Sequence, residues 1–429
     1  MKRIISVVIL IAFIISTVAG CGDTKEQEGF VPKYDTSISA SLKIYGSYSN
    51  FEALESEFER FNEYYPNVEL SYIYLDGYGD SIGNSLLSAE APDIYCTFYW
   101  MWGNPNCQDI FDSAADLSAE DTGIDFSCLR EDLVRTTEDG QVLMAPVLAT
   151  SFGMLVNMDL FEKEEIAVPT TWEDFLEACD MFKADGIDSP MMGYVSSSSG
   201  SFEYSFAYPS LVNSVVSDPS VRDSFNNLDP SAGEVMRPSL EKVQELRDSG
   251  NIDITKCESE IADNYDAAIM RFFEGDVPML VCSADVASGT KKRESQSDDF
   301  MASPFEYKFY PVPFDEKGGF VIDTVAMNFS VNKNSPNLDM AMEFMRFLIS
   351  SEELLNMASV KRLITTSKDL SLDSIYAALA ETPSDRIICS NAANINDNAV
   401  KQFRYAAHHV LVGDLTVDQA IAKYGTLEE

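Results

Sequence analysis

The chain has 429 residues, of which 45% are hydrophobic and 23% are charged, so it is long enough for two or three domains with buried cores. It carries 70 Asp and Glu against 30 Lys and Arg, a formal net charge of −40. That acidic surplus repels phosphate backbones and anionic lipid headgroups, which excludes nucleic-acid binding and a polybasic membrane-surface role. The only histidines are the adjacent His408 and His409. We therefore predict no metal site, no cofactor and no histidine-based catalytic triad.

The N-terminus has the pattern of a secretory signal. Two basic residues precede an apolar run over 4–15, which is shorter than the ~20 residues needed to span a bilayer. The tetrapeptide Val18-Ala19-Gly20-Cys21 then resembles a bacterial lipobox, whose cysteine is lipidated and becomes the first residue of the mature chain. We expect a signal peptide over 1–20 and a lipid anchor at Cys21, where two acyl chains suffice for stable attachment. The alternative is an ordinary cleavage site followed by a chance cysteine.

The segment 21–41 is polar and has no periodicity, so it predicts a flexible tether between the membrane and the first strand. The chain has 8 cysteines, and with Cys21 lipidated an odd number remains that cannot all pair. No C-x-x-C spacing indicates a zinc or redox site. We expect these cysteines to be small buried hydrophobes, although Cys96 and Cys107 are close enough in sequence to form a disulfide.

Strand-like and helical patterns alternate along the mature chain. A strand at 42–45, a helix with apolar residues every three or four positions, and a strand at 68–75 form a βαβ unit, with Ser49 or Asn50 as the helix cap. Thr170 and Glu173 have capping-box spacing at the start of another helix. Further helices are predicted at 234–249, 338–350 and 397–412, and further strands at 278–282, 308–312 and 324–331. This alternation predicts an α/β fold.

Several segments, taken in order, carry a resemblance to a known family. They are FERF at 58–61, YPNVE at 65–69, APDI at 91–94, GQVLMAP at 140–146, NMDLF at 157–161, VPTTWEDF at 168–175, FEGDVPM at 273–279 and AMEF at 341–344. Together with the lipobox they cover nearly the whole mature chain. The chain resembles the extracellular solute-binding proteins of bacterial ABC importers, in the branch that includes maltodextrin-binding protein.

The resemblance implies a two-lobed periplasmic-binding-protein-like fold of type II, in which hinge segments join the lobes and the ligand lies in the cleft between them. Lobe 1 is then 42–148 plus about 323–365, and lobe 2 is 149–322 plus about 366–429. The family also implies no catalysis: a monomer closes on its solute and docks on a membrane permease. With the Cys21 anchor, the protein is expected on the extracytoplasmic face of the cell membrane.

The segment 98–102 is the leading ligand-binding candidate because it holds two of the chain's 3 tryptophans, Trp100 and Trp102. Aromatic faces stack on the apolar face of a sugar ring, and amides and carboxylates bind its hydroxyl groups. If the segment is a strand, Tyr99 faces away from the two tryptophans. The alternative is that these tryptophans belong to the core.

Six more residues and Asp285 complete the candidate site. Tyr48, Ser49 and Asn50 follow the first strand, at the edge where open α/β sheets bind ligands. Tyr204 and Tyr208 belong to lobe 2, and Tyr405 lies on the last long helix where relatives carry an aromatic residue. Asp285 stands near a position where many sugar-binding relatives have a Gly-Trp pair. The basic run 291–293 is interpreted as an exposed loop.

The leading hypothesis is a lipid-anchored receptor that delivers an oligosaccharide to an ABC permease. A peptide or a cationic small molecule is the alternative solute, which an acidic cleft would favour. A surface glycoside hydrolase or esterase is the competing class. The chain has no G-x-S-x-G motif, which disfavours an esterase, and carboxylate pairs are too common in so acidic a chain to indicate a glycosidase.

Overall fold

The computed structural model describes residues 29–198, 201–261 and 265–428. The predicted signal peptide over 1–20 and the lipid anchor at Cys21 lie outside these residues. Within the described part of the chain, no helix is both long enough and apolar enough to cross a bilayer. All seven cysteines in that part are free thiols, and five of them are buried, which confirms the interpretation of small buried hydrophobes over a disulfide framework.

The described strands form two main sheets and one small ribbon. The first sheet contains β1 (Ala40–Gly46), β2 (Val68–Tyr74), β3 (Ile94–Thr97), β4 (Ala145–Thr150), β11 (Val321–Val331) and β12 (Ile387–Cys389). Its order is β12-β11-β3-β1-β2, and β4 also pairs with β11. The second sheet contains β5 (Phe152–Asn157), β6 (Met191–Met192), β7 (Met279–Ser283) and β8 (Tyr307–Tyr310), in the order β6-β7-β5-β8. The ribbon consists of β9 (Pro313–Asp315) and β10 (Gly318–Gly319).

Helices cover both sheets. In chain order they are α1 (Glu52–Asn62), α2 (Tyr78–Leu86), α3 (Gln108–Asp112), α4 (Met158–Lys163), α5 (Trp172–Ala184), α6 (Phe202–Ser217), α7 (Arg222–Asn226), α8 (Arg237–Ser249), α9 (Ile254–Glu260), α10 (Tyr265–Phe272), α11 (Ala284–Ser288), α12 (Thr290–Arg293), α13 (Asp298–Ala302), α14 (Leu338–Leu348), α15 (Ser351–Lys361), α16 (Ser390–Ala393), α17 (Asp397–Val412) and α18 (Val417–Ala422). Helices α1, α14 and α15 pack on the first sheet, and α6 packs on the second sheet, with α8 and α17 packed against α6. The α/β architecture predicted from the sequence is confirmed.

The predicted βαβ unit is also confirmed. Strands β1 and β2 pair in parallel from Ala40 opposite Val68 to Gly46 opposite Tyr74, with α1 between them. The cap of α1 differs from the prediction: Phe51 is the N-cap, and no side chain caps the helix. The side-chain amide of Asn50 (Nδ2) instead donates to Glu52 Oε1 at 2.8 Å. Ser49 and Asn50 therefore do not serve the helix end that they precede.

The capping box of α5 begins one residue later than predicted. Thr171 is the N-cap: its Oγ1 accepts from the Asp174 amide at 3.2 Å, and its own amide donates to Asp174 Oδ2 at 3.2 Å. Thr170 and Glu173 had the right spacing, but the adjacent pair of Thr171 and Asp174 forms the box. A run of two threonines followed by two acids offers both registers, and the sequence alone does not choose between them.

The chain passes directly from one sheet to the other at Ser151. Strand β4 ends at Thr150, β5 begins at Phe152, and Ser151 between them is fully buried. The chain returns to the first sheet between β8 and β11. The last segment contributes to both sides, since β12 joins the first sheet while α17 packs on α6 and α8. The expected assignment of 366–429 to lobe 2 therefore does not hold for β12, which belongs to the first sheet.

The flexible tether predicted over 21–41 does not extend to residue 41. The Phe30 ring packs edge-on against Phe347 at 5.3 Å between centroids, beneath the Arg346 guanidinium at 4.4 Å. The Lys33 amide donates to Glu343 Oε1 at 2.8 Å. These contacts attach 29–41 to the helices of the first sheet. The segment is polar and has no periodicity, but one aromatic ring and one backbone N–H are enough to hold it there.

Candidate functional site

A cleft of about 1230 Å³ opens between the two sheets. Its lining comes from segments that follow or cross strands of both sheets. They include 47–50 after β1, 98–103 around and beyond the end of β3, 324–326 within β11, Phe152 in β5, and Asp285 after β7. The carboxyl ends of strands in open α/β sheets are the usual place for a ligand. Eight of the nine predicted site residues line this one cleft.

Trp100 presents its ring to solvent in the cleft. The side chain is 41% exposed, and its ring lies parallel to that of Phe98, with centroids 6.4 Å apart and 9° between planes. Helix α2 approaches it so closely that a Cβ on Gly79 would lie 2.9 Å from Trp100 Cη2. Glycine at 79 therefore makes room for the tryptophan ring.

The segment 98–102 is not a strand. Strand β3 ends at Thr97, and Tyr99–Met101 form a 3-10 turn. Tyr99, Trp100 and Trp102 consequently all line the cleft, while Met101 is fully buried. Trp102 is half-buried and packs edge-on against Phe111 at 5.1 Å. Tyr99 therefore lines the cleft together with the tryptophans, whereas strand alternation would have placed it on the opposite side.

Tyr99 is fixed by neighbours from two other segments. Its hydroxyl donates to the Leu133 carbonyl at 2.6 Å and accepts from the Asn391 amide at 2.8 Å. The Arg135 guanidinium lies over its ring, 4.7 Å from the centroid, and Arg135 Nε donates to Asn391 Oδ1 at 3.0 Å. Burial raises the pKa of Tyr99, so the phenol is neutral at physiological pH.

Tyr204 and Tyr208 form an aromatic pair on the opposite wall. They lie four residues apart on α6, so their rings meet on one face of the helix, with centroids 4.5 Å apart. Phe152 packs edge-on against both, at 5.1 Å and 5.4 Å. Burial raises the pKa of both tyrosines.

Tyr48, Asp285 and Lys361 lie near one another at another part of the cleft. The Lys361 ammonium lies 4.3 Å from the centroid of the Tyr48 ring. Burial raises the pKa of the Asp285 carboxyl, and Thr150 and Lys361 oppose that shift. Burial likewise lowers the pKa of Lys361, with Glu52 and Asp285 opposing and the like charges of Arg293 and Lys292 reinforcing the shift. Ser49 and Asn50 line the cleft beside this group.

Tyr405 is the one predicted residue that the structure places away from the cleft. It is 8% exposed and belongs to the core, whereas Asp397, Val400 and Arg404 of the same helix line the cleft. Those three recur with helical spacing, and position 405 is rotated about 100° from position 404. In the lining, Arg404 takes the place that the sequence assigned to Tyr405.

Charged residues that the sequence analysis did not single out also line the cleft. The basic ones are Arg135, Lys292, Arg293, Lys361 and Arg404. The acidic ones are Glu52, Asp266, Asp285 and Asp397. The interpretation of 291–293 as a loop without a site is thus wrong for Lys292 and Arg293, which lie on and at the end of α12. No sequence signal separates these residues from the many other surface charges. In the described part of the chain, no group of three or more His, Cys, Asp or Glu side chains could hold a metal ion.

Comparisons with known proteins agree with this architecture. A family model described as bacterial extracellular solute-binding protein matches residues 58–384. No curated protein matches the sequence. Among solved structures, the solute-binding protein RafE in complex with raffinose superposes with a TM-score of 0.67 at 16% identity, covering 90% of this chain and 97% of that one.

Two further structures give the same picture. A chitin oligosaccharide binding protein superposes with a TM-score of 0.68 at 16% identity, over 90% of this chain and 97% of the other. The GacH receptor of Streptomyces glaucescens, solved unliganded and with acarbose, gives 0.65 at 18% identity, over 90% and 96%. Likeness at such low identity shows the shared fold.

Proposed function

The chain belongs to the bacterial extracellular solute-binding proteins, and we propose that it captures an oligosaccharide for an ABC importer. The observation that carries this proposal is the aromatic lining of the cleft. Nine aromatic side chains line it, and the Trp100 ring is left 41% exposed. Large exposed aromatic surface inside a cleft is costly unless a ligand covers it.

The chemistry of the lining suits a sugar. Aromatic faces cover the apolar C–H face of a pyranose ring, while hydroxyl, amide and charged groups bind its hydroxyls. Such polar groups surround the rings here, from Ser49, Asn50 and Asn396 among others. A volume of about 1230 Å³ exceeds the ~300–1,000 Å³ of ordinary small-molecule pockets, which supports a ligand of several sugar rings.

The structural relatives support the same class of ligand. Raffinose, chitin oligosaccharides and acarbose are named with the three structures compared above. The alternative of a cationic solute is disfavoured, since basic side chains in the lining outnumber acidic ones. The proposal includes two lobes that close on the ligand, with boundaries near Ser151 and Asp323. It also includes a monomeric state and docking on a permease.

A binding screen tests the function. The purified mature protein is titrated with neutral and acidic oligosaccharides, with short peptides and with polyamines, and its melting temperature is recorded. A ligand at 100 times its Kd adds about 2.7 kcal/mol to the stability of the folded state, so a true ligand raises the melting temperature clearly. We expect an oligosaccharide to do so and to be recovered unchanged. Cleavage of the sugar would indicate a hydrolase, and stabilisation by peptides or polyamines alone would also contradict the proposal.

Lipid anchoring at Cys21 is the second part of the proposal, and it rests on the lipobox sequence. Replacing Cys21 by Ala removes the thiol that is acylated. We expect Cys21→Ala cells to release the protein or to retain it unprocessed, as measured by fractionation and by incorporation of labelled palmitate. As a control, Cys128→Ala should leave labelling unchanged. A Cys21→Ala protein that is still processed and labelled would refute the anchor.

A further inference from the structure

The charge of the cleft is opposite to the charge of the protein. The whole chain has 70 acidic and 30 basic residues, a ratio above two to one. The cleft lining has five basic and four acidic residues. A lining drawn at random from this chain would be strongly acidic. The basic residues are therefore concentrated where the ligand binds.

Four of these five basic residues have no ion-pair partner among the described residues: Arg135, Lys292, Lys361 and Arg404. Unpaired lysines also occur elsewhere on the surface, so the arginines are the distinctive members of this group. Nine of the twelve described arginines form an ion pair, as with Arg60 and Glu353, Arg130 and Asp323, or Arg271 and Asp276. The three without one are Arg135, Arg222 and Arg404, and Arg135 and Arg404 line the cleft.

Arg404 shows the feature most clearly. Its Nε is shielded from solvent and has no hydrogen-bond partner among the described residues. A guanidinium N–H without a partner costs free energy, and a ligand acceptor would remove that cost. Arg404 acts electrostatically on Tyr204, and Arg135 acts on Tyr208. The two arginines thus line the cleft in the neighbourhood of the tyrosine pair.

The acidic lining residues offset these charges only in part. Asp266 is already paired with Arg293. Glu52 and Asp285 act electrostatically on Lys361, and Asp397 acts on Tyr204 as Arg404 does, but none of the three forms an ion pair with a cleft cation among the described residues. The ammonium of Lys361 has like charges beside it, since Lys292 and Arg293 are among the groups that lower its pKa. Mutual repulsion of this kind is relieved when an anion binds between the cations.

We propose that the oligosaccharide is anionic and carries carboxylate or sulfate groups that Arg135 and Arg404 bind beside the tyrosine pair. This inference rests on the proposed function and specifies the class of sugar. A guanidinium binds both oxygens of a carboxylate at once, which gives direction as well as strength. The acidic outer surface does not prevent entry, because at physiological salt charges are screened beyond ~8 Å and the ligand responds mainly to the lining.

The test compares matched pairs of sugars on the purified mature protein. One pair is trigalacturonate and its neutral methyl ester, and another is a sulfated oligosaccharide and its desulfated form, so that the two anionic groups are distinguished. A panel of further acidic and neutral glycans is titrated in parallel. We expect an acidic member of the set to bind at least about tenfold more tightly than any neutral one, which corresponds to about 1.4 kcal/mol. Added salt should weaken the acidic ligand alone.

Single substitutions assign the effect to the arginines. Arg135→Gln and Arg404→Gln should each weaken the acidic ligand about tenfold or more and leave any neutral ligand nearly unchanged. Lys423→Gln is the matched control, because Lys423 is exposed and lies outside the cleft lining. Melting temperatures confirm that each variant is folded. If Arg404→Gln is unstable, Arg404→Lys replaces it; this variant keeps the charge and should retain part of the affinity for the acidic ligand.

The outcomes separate the two proposals. If a neutral sugar binds as tightly as any acidic one, or if both arginine variants bind the acidic ligand like the wild type, the anionic class is wrong and the sugar-binding function stands. If no glycan binds while acidic peptides do, both proposals fall. Tight binding of an acidic glycan with loss in both variants supports both.

Discussion

Neighbouring residues in the 3-10 turn after β3 have opposite environments. Trp100 is 41% exposed in the cleft, whereas Met101, the next residue, is fully buried. Stability and binding are therefore expected to depend on different residues within a single turn. This contrast allows the ligand contribution of an aromatic ring to be measured separately from its packing.

Replacing Trp100 by Ala should weaken sugar binding by about 2 kcal/mol, or roughly 30-fold, as expected of a central aromatic contact. The free energy of unfolding should change by less than about 1 kcal/mol, because the ring is largely exposed. Isothermal titration and urea unfolding measure the two quantities.

Met101→Ala is the matched control and should show the reverse. It removes a fully buried side chain and should cost about 2–5 kcal/mol of folding stability. If Trp100→Ala binds like the wild type, the aromatic cluster is not the binding site.

How far the sequence predicted the site is clearest at this scale. Residue type selected Trp100, Trp102, Tyr204 and Tyr208, because aromatic rings beside loops are the groups that stack on sugars. Residue type did not select Arg135 or Arg404, since an isolated arginine in an acidic chain resembles every other surface charge. The position of Tyr99 was wrong because strand alternation was applied beyond Thr97, where the strand ends.

Helix α2 and the aromatic turn are coupled through one glycine. Gly79 and Gly83 lie one turn apart on α2, and only Gly79 faces the Trp100 ring. A Cβ at 79 would meet Trp100 at 2.9 Å, but one at 83 has its nearest neighbour at 4.0 Å, on Ile110. The identical substitution at the two positions therefore tests whether the helix holds the ring in place.

We expect Gly79→Ala to shift the Trp100 ring and to weaken sugar binding several-fold without lowering the melting temperature. Alanine favours the helix over glycine by up to about 1 kcal/mol, which offsets local strain. Gly83→Ala should stabilise the protein equally or more and leave affinity unchanged. Equal affinities for both variants would show that α2 does not position Trp100. Tryptophan fluorescence reports the ring's environment directly.

At the element scale, periodicity and length were reliable. Helix α17 begins and ends at the predicted residues. The exact register along a helix was less reliable. The capping box of α5 begins at Thr171 and not at the predicted Thr170, and Arg404 rather than Tyr405 lines the cleft. An apolar period fixes which face of a helix is buried, but a one-residue rotation changes which side chain borders the cleft.

For the whole molecule, the direct passage from β4 to β5 at Ser151 is where the proposed hinge between the two sheets would lie. We expect a saturating sugar to reduce the radius of gyration measured by small-angle X-ray scattering. Trp100→Ala at the same sugar concentration should show a smaller reduction, because less of it is bound. An unchanged radius at saturation would indicate a site that is closed before the ligand arrives.

If Cys21 carries the proposed lipid, the packed segment 29–41 limits how far the protein could move from the membrane. Eight residue steps separate Cys21 from Gly29, and an extended chain covers at most ~3.6 Å per residue, so Gly29 would stay within roughly 29 Å of the lipid. Such a short connection would keep the protein at high effective concentration near a permease in the same membrane. Segment 29–41 packs on the helices of the first sheet through Phe30 and Lys33. In the proposed closure, the first sheet would then be the one held near the membrane, and the second sheet would move towards it.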